Sequence, residues 1–300
     1  MHCVTVASEQ CADMGPVPVL EIGGTHVTAA LVDGATVDVP VRMPLSPQGS
    51  REEILDGIVT AASKVEAPAG ARWGVAVPGP FDYNAGIGLF HDVGKFESLY
   101  GVDVGAELTR RLPEPAVLRF LNDADAFGIG EYVAGAAAGH RRAVCLTLGS
   151  GVGSAFLDDG VPVNDGPLVP PEGSAHRVHY RGRPLEETVS RRAIRAAYGH
   201  DAPDVQVIAE LARDGDPHAR TVLANAFHAL GVAMGPWLAG FEATVLVVGG
   251  SIAASWDLVE GPLQAGLDVT VELRTAQRPV DAPLLGAARW ATRPRSGPDR

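Results

Sequence analysis

Cys145–Val163, CLTLGSGVGSAFLDDGVPV, lies without a gap on Val19–Val37, VLEIGGTHVTAALVDGATV, at an offset of 126 residues. Leu146 falls on Leu20, Gly149 on Gly23, Ala155 on Ala29, Leu157 on Leu31, and Asp159-Gly160 on Asp33-Gly34. Each copy reads as an apolar strand, a glycine turn, an alternating strand, an Asp-Gly turn and a third strand. A repeat of this kind predicts two related α/β lobes, each presenting a glycine turn, with a cleft between them.

The turn Gly149-Ser150-Gly151-Val152-Gly153 invites comparison with dinucleotide-binding loops. Those require G-x-G-x-x-G running from a strand into a helix. Here the spacing is G-x-G-x-G, and Ser154–Leu157 alternates like a strand before an Asp-Asp-Gly turn, so a hairpin is expected. No G-x-x-x-x-G-K-[ST] occurs, which excludes a Walker P-loop. Two such turns facing one another suit a triphosphate gripped from both sides. A third turn, Gly249-Gly250-Ser251, follows the β-branched strand Thr244–Val248 and would lie near the nucleoside.

Upstream of the second turn, Asn122-Asp123 stands at the mouth of a helix rich in small residues. Helix N-termini and glycine turns both direct unpaired N–H groups outward, where an anion can meet them. The pair therefore reads either as a base beside a phosphate cradle or as a plain N-cap.

Elsewhere the chain alternates strands and helices. Strands are expected at Val17–Ile22, His26–Val32, Thr36–Val41, Trp73–Val77, Val117–Leu121 and Thr270–Leu273. Ser50 and Glu53 form a capping box ahead of Ile54, Leu55, Ile58, Val59, Ala62 and Val65, one apolar helical face. Further helices are expected at Val104–Leu112, Leu185–Tyr198 and Asp204–Ala212. Asp216-Pro217 opens a long helix towards Phe241, and Leu284–Trp290 forms a last one.

The 300 residues carry a formal net charge of -12. That balance and the lack of a basic block disfavour nucleic acid as a partner and favour small molecules. No run of about 18 uninterrupted apolar residues predicts a membrane span. The N-terminus lacks the features of a signal peptide, so a cytoplasmic protein is expected. Cys3, Cys11 and Cys145 offer neither a disulfide framework nor metal-ligand spacing.

Glu21-Ile-Gly-Gly-Thr25, Val77-Pro-Gly-Pro80, Leu121-Asn-Asp-Ala124, Leu146–Gly153, Val248-Gly-Gly250 and Pro283–Ala288 occur in the order seen in ROK proteins (repressors, open reading frames, kinases). The chain resembles the glucokinase-like members of that family from about Val17 to Trp290. The resemblance implies a two-lobed actin-like ATPase fold, ribonuclease H-like in each lobe. One lobe would hold residues 1–120 with 284–300 returning to it, and the other 121–283. It implies an ATP-dependent kinase with Mg²⁺, acting on a hydroxyl of a hexose or a sugar-like cyclitol. Glu21, Gly23, Gly24, Thr25, Gly149, Ser150 and Gly151 would meet the donor's phosphates, with Gly249 and Gly250 beside the adenosine. Asp123 would be the catalytic base. Gly79, Asn122, Glu172, His176 and Glu186 would bind the acceptor. Some relatives use polyphosphate, which leaves the donor open. Family members are often dimers, so a homodimer is open too.

Three features depart from the family pattern. Glu21 stands where Asp is usual, one methylene longer. The usual G-E-x-G-H segment corresponds to Glu172-Gly-Ser-Ala-His176, with the acid one residue early. The family's cysteine-rich zinc motif is replaced by His179–Glu186, which has no cysteine, so no zinc and no other protein-bound metal site is expected. Its final acid remains as Glu186, either a ligand of substrate hydroxyls or a favourable acid in a first helical turn. These departures admit a second reading, a non-catalytic sugar-binding relative or sensor. A repressor would need a DNA-binding domain, and only 16 residues precede the first strand.

Overall fold

The computed structural model describes residues 15–112 and 117–294; Cys3, Cys11 and the start and end of the chain lie outside these. The described residues form two units, one made of those up to Ala126 and from Asp281 on, the other of Phe127–Val280. The sequence reading puts the division at 120/121 and 283/284. In the structure the strand Val117–Asn122 pairs with Arg72–Val77 in the first unit's sheet, which carries Asn122 and Asp123 into that unit.

In the first unit the strands are β1 (Val17–Ile22), β2 (His26–Asp33), β3 (Thr36–Val37), β4 (Val41–Pro44), β5 (Arg72–Val77), the short hairpin β6 (Phe81–Asp82) and β7 (Ile87–Gly88), and β8 (Val117–Asn122). The main sheet runs β3-β2-β1-β5-β8, with β4 also on β2. The expected strand Thr36–Val41 is instead two. Asp38 to Pro40 leaves the sheet, and Val41 resumes it on β2 opposite Ala29. Helix α1 (Arg51–Ala62) has both halves of its capping box and buries Ile54, Leu55, Ile58, Ala61 and Ala62. It ends before Val65. Helix α2 (Val104–Arg111) is capped by Asp103, which accepts from the Ala106 N–H at 2.7 Å. The final helix, Ala282–Thr292, joins this unit, where Trp290 Nε1 donates to the Phe120 carbonyl at 2.9 Å. Leu20, Ile54, Leu55, Ile58, Trp73 and Val75 form the centre of the core.

The second unit has β9 (Arg142–Leu148), β10 (Val152–Asp158), β11 (Val161–Pro162), the hairpin β12 (His179–Tyr180) and β13 (Arg183–Pro184), β14 (Val245–Gly249) and β15 (Glu272–Thr275). Its sheet runs β11-β10-β9-β14-β15, the order of the first sheet. In both, an antiparallel meander is followed by two parallel strands. The pairing differs by one residue. Ile22 pairs with Val27 across four turn residues, whereas Leu148 pairs with Val152 across three. The gapless sequence match would have paired Leu148 with Gly153.

The helices are α3 (Asp123–Ala134), within which the unit boundary falls, α4 (Glu186–Val189), α5 (Arg191–Tyr198), α6 (Val205–Arg213), α7 (Pro217–Phe241) and α8 (Trp256–Gly266). The expected continuous helix Leu185–Tyr198 is broken at Ser190. That residue is extended (φ -72°, ψ 160°), and its hydroxyl accepts from the Ala193 N–H at 3.3 Å. A serine that caps a new helix competes with continuation of the old one. Helix α7 is long and apolar enough, by length and composition alone, to cross a membrane, although no uninterrupted apolar run marks it. Here 61% of its most apolar window is buried in the unit's core, beside Phe156, Leu246 and Val248.

Candidate active site

The sequence-predicted residues divide between the two units. In the first, β8 delivers Asn122 and α3 begins at Asp123. Asn122 Oδ1 accepts from the N–H groups of Ala124 (2.9 Å) and Asp125 (3.4 Å), so Asn122 caps the helix. The Asp123 carboxylate accepts from the Ala124 N–H at 2.9 Å. Burial raises its pKa, opposed by the positive charge of Lys95 and by backbone N–H groups. A carboxylate so placed binds a proton more strongly than one in water, as a general base requires. Capping thus falls to Asn122, which leaves the adjacent Asp123 as the candidate base.

Glu21 lies on β1 opposite Thr28. Burial and the negative charge of Asp123 raise its pKa, while Arg42 and the Thr28 hydroxyl oppose the rise. Gly79 brings bare backbone beside the amide: a Cβ there would stand 3.9 Å from Asn122 Nδ2 and 3.4 Å from the Tyr83 hydroxyl. The first glycine turn is closed by the Gly23 N–H donating to the His26 carbonyl at 2.8 Å. The Thr25 carbonyl accepts from the Leu45 N–H at 2.9 Å. No heavy atom lies within 4 Å of where a Gly24 Cβ would be, so that face of the turn is open to a ligand.

In the second unit, the Gly149 N–H donates to the Gly151 carbonyl at 3.0 Å, and the Gly149 carbonyl accepts from the Arg191 N–H at 2.8 Å. Ser150 is exposed at the apex. Glu186, at the start of α4, reaches this turn. Its Oε2 accepts from the Val152 N–H at 3.2 Å and lies 2.8 Å from where a Gly151 Cβ would be. The third turn sits beside the second, with Ser251 Oγ 3.7 Å from the corresponding point on Gly149. Gly249 and Gly250 are tightly packed: added Cβ atoms would meet the Phe127 ring at 2.4 Å and the Leu148 carbonyl at 2.3 Å, and Gly250 has φ +85°. Next to Ser150 a cavity of about 510 Å³ is bounded by Arg191, Arg192, Arg195, Gly199 and Ala202.

His176 lies within electrostatic reach of Glu186; burial holds its pKa below the usual value. Glu172 also lies within electrostatic reach of His176, but it faces solvent. Its carboxylate pairs with Arg177 at 2.8 Å and is 66% exposed. Two residues escaped the sequence reading. Tyr83 accepts from Asn122 Nδ2 at 2.9 Å, and Lys95 faces Asp123 electrostatically. The only signals were the Phe-Asp-Tyr-Asn turn after Pro80 and the scarcity of lysine, Lys64 being the only other.

Among the described residues no three His, Cys, Asp or Glu side chains gather to hold a metal. Mg²⁺ keeps several waters and is held mainly by substrate phosphates with one or two carboxylates, so Glu21 and Asp123 suit it as oxygen donors.

The ROK family model matches residues 18–293. A glucokinase from Thermotoga maritima is 27% identical over 307 aligned residues, covering 90% of this chain and 95% of that protein. Among solved structures, the ROK hexokinase of Thermus thermophilus matches with a TM-score of 0.70 at 24% identity, over 91% of this chain and 96% of that one. A ROK family glucokinase from Streptomyces griseus, in complex with glucose and AMPPNP, matches with a TM-score of 0.73 at 23% identity, over 92% and 98%. The fold is therefore the two-lobed actin-like ATPase fold.

Proposed function

The chain belongs to the ROK family, and from that premise we propose that it is an ATP-dependent kinase that phosphorylates a hydroxyl of a hexose or a sugar-like cyclitol. The observation that carries this reading is Asp123: a half-buried carboxylate with raised proton affinity, next to a helix-capping amide and on the same unit as an open glycine turn. Phosphoryl transfer asks little covalent help of a protein. It needs the attacking oxygen in line, its proton accepted, and the phosphate charge neutralised.

Asp123 accepts the proton of the attacking hydroxyl. Asn122, Gly79, His176 and Glu186 orient the acceptor, and Glu172 stays with Arg177. The N–H groups of Gly24 and Thr25 and of Ser150 and Gly151 meet the donor's phosphates, while those of Gly23 and Gly149 close the two turns. The Ser150 cavity takes its nucleoside, with Gly249 and Gly250 keeping the third turn close to the second. Mg²⁺ would offset the charge of the donor's phosphates, and the Glu21 carboxylate would help hold it. Support for a sugar acceptor comes from the glucokinase of Thermotoga maritima and the glucose complex of the Streptomyces griseus protein.

A coupled assay of ADP release tests the reading, run with ATP and Mg²⁺ over hexoses, N-acetylated amino sugars and C7 cyclitols, each product checked by mass. Acceptor-dependent turnover that falls by about 10²–10⁴ in Asp123→Asn is expected. Near-normal turnover in that variant would remove Asp123 from its role. Sugar binding without phosphorylation, from ATP or polyphosphate, would leave a binding protein instead.

A further inference from the structure

Asn122 has little hydrogen-bonding capacity left for a ligand. Both lone pairs of its Oδ1 face backbone donors, the N–H groups of Ala124 and Asp125. One hydrogen of its Nδ2 goes to the Tyr83 hydroxyl at 2.9 Å. The reversed amide is excluded, because it would set the NH₂ group against two backbone N–H donors. The Tyr83 hydroxyl donates in turn to the Val77 carbonyl at 3.3 Å, the residue at the end of β5 just before Pro78-Gly79. Burial raises the phenol's pKa, so it keeps the proton it donates. The ring is held by Phe81, at 5.5 Å between centroids. A relay therefore runs from the β5 carbonyl through Tyr83 to the amide that starts α3.

We propose that Tyr83 is a positioning residue that fixes Asn122 so that its amide offers the acceptor a single N–H donor and no acceptor oxygen. The acceptor substrate must then present, at this corner, an oxygen that accepts a hydrogen bond, and a group that can only donate is rejected. This rests on the reading of Asn122 as an acceptor ligand. Without the phenol the amide loses an anchor and can turn about its terminal bond, so the acceptor side suffers while the donor side does not.

The test is a double-mutant cycle with Tyr83→Phe and Asn122→Ala, measured with glucose or the best acceptor of the panel. Tyr83→Phe is expected to raise the acceptor KM about tenfold, with the ATP KM unchanged, through a lost positioning bond of ordinary strength. In the Asn122→Ala background it should have almost no further effect. Equal effects in both backgrounds, or none in the parent, would overturn the proposal.

A second readout needs no activity. In the wild-type protein the Asn122 side-chain NH₂ should give two well-separated, slowly exchanging proton signals, and Tyr83→Phe should abolish that protection. An Asn122 amide that already exchanges freely in the wild type overturns the inference. If no acceptor is phosphorylated but the amide is protected as expected, the kinase reading fails and the positioning role stands.

Discussion

Glu131 offers a quantitative test of how α3 is held at the end opposite Asp123. Its carboxylate is fully buried and accepts three backbone N–H groups: Ala136 at 2.6 Å and Gln277 at 3.1 Å on Oε2, and Arg278 at 2.7 Å on Oε1. Gly135 lets the carboxylate pass, since a Cβ there would fall 2.1 Å from Oε2. In Glu131→Gln the carbonyl oxygen can replace Oε2 and keep two bonds, but the NH₂ then faces the Arg278 N–H. One orphaned buried donor costs about 1–3 kcal/mol. Glu131→Ala orphans all three donors and leaves a cavity, costing on the order of 4 kcal/mol or more. At roughly 2–4 °C per kcal/mol for a chain of this class, Glu131→Gln should lower Tm by several degrees, and the alanine variant by more than 10 °C. Amide exchange should locate the loss, with Ala136, Gln277 and Arg278 deprotected first. Turnover well below Tm should stay within about threefold, because the side chain touches no substrate. An unchanged Tm in Glu131→Gln, with those amides still protected, would refute the count of bonds.

Glycine variants should separate ligand approach from packing. Gly24→Ala should leave Tm within about 1 °C yet raise the donor KM, since its Cβ meets only open space, whereas Gly250→Ala should destabilise by roughly 2 kcal/mol or more by thermal unfolding, because it combines φ +85° with a contact at 2.3 Å. Glu172→Ala should change the acceptor KM by less than about twofold, as its ion pair with Arg177 is solvent-exposed. Asp123 also makes a pH-dependent contribution to stability. Its folded pKa is raised, so the stability its proton lends is present below the unfolded value of about 3.9 and is lost as pH rises through the folded value. Thermal unfolding of Asp123→Asn should therefore show equal or greater stability than the wild type at pH 8, with the gap closing towards pH 4; a less stable variant at pH 8 would contradict the raised pKa.

Local chemistry was readable wherever partners are close in sequence. Ser50 and Glu53 announce α1, Asp216-Pro217 announces α7, and alternation after Gly153 distinguishes a hairpin from a Rossmann crossover. The repeat predicted two sheets of one topology, which the strand orders bear out. What escaped depends on distant partners. Nothing near Tyr83 states that its hydroxyl will meet an amide 39 residues on, nor near Glu131 that it will bind N–H groups of Gln277 and Arg278. Ser190 did carry a cap signal, but an apolar face continuing on both sides concealed the break. Glu172 already stood one residue early in the pattern, and Arg177, five residues later, holds its carboxylate.

The one-residue difference between the two hairpins bears on how such a chain can be re-engineered and how it diverged. Turn and strand do not vary separately: with one residue fewer in its turn, every later residue of that strand meets a different partner and its faces are exchanged relative to the other copy. A graft of one turn into the other lobe would therefore carry its register with it, burying side chains selected for the opposite face. The exchangeable module in this protein is the whole meander rather than the glycine turn, and halves that look interchangeable in a gapless alignment are not interchangeable as parts.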